Sequence, residues 1–169
     1  MAMKSAKALN VPASGVAREI SFKERRVRVR SRMNRATPKL RIFAERLIAD
    51  EISRNASAKS NSTAAFAVIE KLSPHFGALM GAAGFRALLW RALALAGAEV
   101  ARLGEIHVKA DGTFDGLNEL AAKASPEELS DAGIVLLARF LGLLVALIGD
   151  ELTLQLLSNA NDLQLTPEG

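Results

Sequence analysis

The sequence predicts an all-α protein: a helical bundle of about four to five helices, with a buried apolar C-terminal helix and a flexible basic N-terminal arm. Three observations predict it. Half of the 169 residues are apolar, and most of these are Ala and Leu, which favour helix over strand. Apolar residues recur at helical spacing in several stretches. Ser or Thr precedes Pro at Thr37-Pro38, Ser73-Pro74 and Ser125-Pro126. There the hydroxyl can cap a free N–H, and a proline at the first helical position forfeits no needed donor.

The chain divides by charge before it divides by pattern. Residues 1–46 hold 13 Lys and Arg against 3 Glu, and the remaining residues hold 9 against 15 Asp and Glu. The overall +4 therefore conceals a strongly basic start and a mildly acidic body. Residues 1–36 have no sustained apolar period, so they read as an arm that stays flexible until it meets an anion. Its cations concentrate at Arg25, Arg26, Arg28, Arg30, Arg32 and Arg35. Residues 37–160 read as the helical domain and 161–169 as a tail. No apolar run develops before residue 40, so no secretory signal is expected. Two Asn-x-Ser/Thr matches, at Asn55 and Asn61, read as chance in that setting.

From Pro38, the residues Leu40, Phe43, Ala44, Leu47 and Ile48 trace one face of an amphipathic helix that fades near Arg54. The small, polar stretch 55–63 is a loop. A short helix through Phe66 and Ile69 is expected to break before Pro74, because proline removes a helical donor and disfavours helix in the residue before it. The next helix runs from about Gly84 to Leu103, with Phe85, Leu89, Trp90, Leu93, Ala96, Val100 and Leu103 predicted on its buried face. Residues 104–116 switch to turn chemistry, with a small hairpin around Asp111-Gly112. A short helix spans Leu117–Lys123.

The last helix begins at Ser125-Pro126, where Glu128 completes a capping box with Ser125. Between Gly133 and Gly149 the only charge is Arg139, and Leu, Ile, Val and Phe occupy every side. A helix apolar all round lies in a protein core or in a membrane. This run falls short of the ~20 apolar residues that a span needs. Ala138, Gly142 and Ala146 form a row of small residues suited to a close helix contact. After Gly149 the chain resumes as a further helix, bent at the glycine.

The run LGLLVALIGDELTLQLL (Leu141 to Leu157), with IHVKADGTFDGLNEL upstream, resembles a group of small bacterial proteins. They share a Leu-rich helix that ends in an Ile-Gly-acidic step and Leu-Thr-Leu. The resemblance covers roughly residues 64–158 and leaves the arm outside. It implies a bacterial origin and no mechanism, since that group has no assigned activity.

Catalytic groups are sparse. There is no Cys, which excludes disulfides, thiolate metal sites and cysteine catalysis. The only His residues are His75 and His107. His107 lies near Glu105, Asp111 and Asp115, a grouping that could serve a base or a ligand set, but a lone His without a patterned Ser, Asp or second His reads first as part of a polar surface loop. The run from Asp111 to Gly116 matches part of a calcium loop, yet Ala122 stands where the bidentate Glu belongs. An acidic hairpin turn is the plainer reading. No nucleotide-binding, zinc-protease or serine-hydrolase motif occurs. We expect no enzyme, no cofactor and no resident metal. The expected protein is a cytoplasmic bacterial interaction or regulatory module with a protein partner. Its arm would engage an acidic surface or nucleic acid, and the same reading admits a homo-oligomer. The rival expectation is a membrane-active protein whose apolar helix inserts or forms a pore.

Overall fold

The structure, a computed structural model, describes residues 38–54 and 61–162. The arm and its six arginines lie outside the described residues, as does the tail from 163 onward. Among the described residues the architecture is all-α, with five α-helices, two short 3-10 turns and one two-stranded ribbon.

Helix α1 (Pro38–Arg54) turns Ala44, Leu47 and Ile48 into the core, with Leu40 and Phe43 half-buried beside them. This is the face that the apolar spacing predicted. A single 3-10 turn (Asn61–Thr63) leads into helix α2 (Ala64–Gly97). This helix corrects the expected break at Pro74, because Pro74 lies inside it and faces solvent. Proline in a helix interior costs about 3 kcal/mol. Leu72 and Phe76, on either side of it, are both buried, and burying side chains of this kind returns about 1.5–3 kcal/mol each. Helical continuity therefore wins at Pro74.

The interruption falls instead at Gly81, whose φ of 80° and ψ of 153° only glycine adopts without strain. Phe140 sits across the bend. Its ring meets Phe76 edge-on at 6.2 Å and Phe85 at 5.6 Å, one from each half of α2.

Trp90 is a second correction. The apolar spacing puts it on the buried face, but it is 66% exposed. At 100° per residue, Phe85, Leu89, Ala92, Leu93 and Ala96 fall within one narrow arc, and all are buried. Trp90 is a full 100° step from Leu89, outside that arc.

A 3-10 turn (Ala101–Glu105) leads to strands β1 (His107–Val108) and β2 (Phe114–Asp115). They pair antiparallel, His107 opposite Asp115 and Val108 opposite Phe114. Phe114 fastens this ribbon to the core through an edge-on contact with Phe66 at 5.2 Å. Helix α3 (Leu117–Lys123) follows.

Helix α4 (Pro126–Ile148) is the axis of the body. Its start carries the predicted capping box: the Glu128 N–H donates to Ser125 Oγ at 3.2 Å, and the Ser125 N–H donates to the Glu128 carboxylate at 2.9 Å. Every residue from Val135 to Leu141 is buried, since α1 and α2 both pack against this helix. The burial ends before the helix does. Ala146 and Leu147 are exposed, so the row Ala138, Gly142, Ala146 runs out into solvent and marks no continuous helix contact. Gly149, at φ 86°, ends α4. Helix α5 (Asp150–Asp162) then packs back through Thr153, Leu157 and Ala160.

Candidate functional site

The residues that sequence reasoning grouped for chemistry lie on the ribbon, and their bonds there are structural. The Asp111 carboxylate accepts the Thr113 N–H at 2.9 Å and the Thr113 hydroxyl at 2.7 Å, closing the tip of the turn. The Thr113 hydroxyl, followed by its backbone N–H, holds the Asp111 carboxyl below the usual carboxylate range. Asp115 faces Lys109 at 3.7 Å, and Glu105 meets Lys123 at 3.2 Å. Each of these three carboxylates has its own local partner. His107 projects into solvent from β1. Among the described residues no group of three or more His, Asp or Glu converges as a metal site. His75 Nδ1 lies 3.4 Å from the Lys71 carbonyl, a contact within its own helix.

An open cleft of about 480 Å³ lies between α2 and the ribbon tip, beside the place where Gly112 approaches Ser73 and Phe85. It is lined by Glu70, Ser73, Pro74, Gly77 and Phe85 on α2 and by Asp111 and Thr113 of the turn. Arg86 reaches across to donate to the Ala110 carbonyl at 3.2 Å, tying the ribbon to the helix beyond the bend.

Two ion pairs inside the body escaped the sequence reading. Glu51, buried on α1, pairs with Lys71 of α2. Arg139, buried at the centre of α4, pairs with Glu99 in the turn after α2. A lone charge within an apolar run signals that a counter-charge must come from elsewhere in the fold, but nothing local names Glu99 as that group.

Together with Arg41–Glu45, Arg102–Glu128 and the two pairs on the ribbon side, these engage six of the eleven Lys and Arg among the described residues. Arg91, exposed beside Trp90, is among those that form no ion pair within the described residues. Comparison with protein-family models, with curated proteins and with solved structures finds no match.

Proposed function

We propose that this protein is a non-enzymatic interaction module of bacterial, cytoplasmic origin, whose basic arm engages the phosphates of a nucleic acid or another acidic surface. The observation that carries the reading is the segregation of charge. Beyond residue 46 the chain carries 9 Lys and Arg against 15 Asp and Glu, so the positive excess rests on the first 46 residues. Arg25, Arg26, Arg28, Arg30, Arg32 and Arg35 would make the contacts, as guanidiniums pair readily with phosphate oxygens. Without aromatic residues between them, such contacts give affinity with little base preference. Replacing Arg25, Arg26, Arg28, Arg30 and Arg32 with Ser should abolish a gel shift on random-sequence nucleic acid. A shift that survives those substitutions would overturn the reading.

One specific observation favours a second reading, in which the protein acts on membranes. Two helical stretches, Asn61–Glu99 and Pro126–Ile148, are long and apolar enough to cross a bilayer, the second with a mean hydropathy of 2.2 in its most apolar window. Over half of that window is buried within the body, which suits a core helix equally. Carbonate-washed membrane fractionation separates the two: the interaction module washes off, whereas an inserted helix stays in the pellet.

A further inference from the structure

Among the described residues six large apolar side chains are exposed, and apart from Ile42, which lies among charges of both signs, they fall in two stretches of opposite charge. Leu79 and Trp90 are exposed within the stretch 71–98, which carries Lys71, Arg86 and Arg91 and no Asp or Glu. Leu147, Leu152 and Leu154 are exposed within the stretch 140–160, which carries Asp150 and Glu151 and no Lys or Arg. The surface around Trp90 on α2 is thus basic, through Arg86 and Arg91, and the surface around Leu154 on α5 is acidic, through Asp150 and Glu151.

Helix geometry gives each face its composition. On α2 the buried arc from Phe85 to Ala96 turns Trp90 outward, with exposed Arg86 one turn before it and exposed Arg91 next to it. On α5 the inner positions Thr153, Leu157 and Ala160 leave Glu151 and Leu154 one turn apart on the solvent side. One face offers an indole between cations. The other offers a leucine beside carboxylates.

We propose that the Trp90 face of one copy of this chain receives the Glu151–Leu154 face of a second copy, and that the exchange is reciprocal, closing a two-fold dimer. Pairing the Trp90 face with itself would bring arginines together, and pairing the acidic face with itself would bring carboxylates together. The crossed arrangement sets opposite charges around apolar contacts at both places. Two-fold symmetry supplies both contacts at once. That doubling matters because a stable interface buries roughly 800 Å² per partner, more than one exposed tryptophan and its neighbours provide. Trp90, flanked by arginine, has the chemistry of an interface anchor. An anionic bilayer suits these faces less well. Alanines at 83, 87 and 94 surround Trp90 and give little area to insert, and the acidic face would be repelled.

Trp90 is the only tryptophan in the chain, so its fluorescence reports on this face alone. The full-length protein, followed by sedimentation velocity over a concentration series, should pass from 18.0 kDa to twice that mass. The Trp90 emission should shift to the blue in step. Arg91→Glu and Glu151→Arg should each weaken association by roughly tenfold or more, with circular dichroism unchanged. An equimolar mixture of the two variants should recover the dimer, because in the mixed pair one contact is charge-reversed and the other native. Wild-type protein that stays monomeric throughout would overturn the proposal. So would a dimer indifferent to both substitutions, a mixture that fails to recover, or a Trp90 blue shift seen only with anionic vesicles.

Discussion

A Cβ placed on Gly133 would lie 2.7 Å from the Ala65 Cβ and 3.4 Å from the Phe66 ring, where α4 crosses the start of α2. At Gly142 the same atom would meet only the Leu40 Cδ1, at 3.4 Å. Alanine in place of glycine in a helix interior gains about 1 kcal/mol from propensity alone. At Gly142 the sole obstacle is the end of a flexible side chain, so Gly142→Ala should keep most of that gain. At Gly133 the obstacle is a methyl fixed to backbone, and overpacking a rigid contact costs about 1–3 kcal/mol. The clash is severe enough to place Gly133→Ala near the top of that range, for a net loss of about 1–2 kcal/mol. In a body of this size such a loss lowers Tm by roughly 3–8 °C. Calorimetry and urea denaturation of both variants measure the difference directly. Adding Ala65→Gly should relieve the clash and return part of the loss, a coupling that a double-mutant cycle isolates. Equal stability of Gly133→Ala and Gly142→Ala would refute the assignment of the close helix contact to Gly133.

Leu144, fully buried on α4, should cost about 2–5 kcal/mol when cut to Ala, measured as a lower denaturant midpoint. Ser125→Ala removes one half of the capping box and should cost about 0.5–2 kcal/mol, with the loss visible in thermal melts. Asp111 should titrate below its ordinary value in carbon-detected NMR, and Thr113→Val should move it upward by removing the hydroxyl donor. Because folding lowers this pKa, its contribution is present above the ordinary carboxylate range and fades as pH falls through the depressed value.

What was legible in the sequence was local. The face of α1, the Ser125–Glu128 box, the hairpin at Asp111-Gly112 and the bend at Gly149 each depend on residues within one or two turns of one another. What escaped depended on distant packing. Pro74 reads as a boundary in isolation, and only the burial of Leu72 and Phe76 against the rest of the fold carries the helix through it. Gly81 carried no strong local signal, since the preceding and following residues both favour helix. Trp90 reads as part of the apolar face of its helix, although the angle from Leu89 puts it at the margin of that face. The pairings of Arg139 with Glu99 and of Glu51 with Lys71 join separate elements, so spacing along the chain could not announce them. The carboxylates grouped around His107 are each engaged elsewhere, Asp111 by Thr113, Asp115 by Lys109 and Glu105 by Lys123 of α3, so the proposed function rests on charge distribution.

That proposal is tested most directly by the salt dependence of nucleic-acid binding by the full-length protein. If the six arginines from Arg25 to Arg35 each neutralise a phosphate on duplex DNA, log Kd should rise with log salt at a slope of about 5. It should do so alike for unrelated sequences, and the slope should collapse when those arginines become serine. An affinity that ignores salt, or one that keeps its slope without them, would contradict the account.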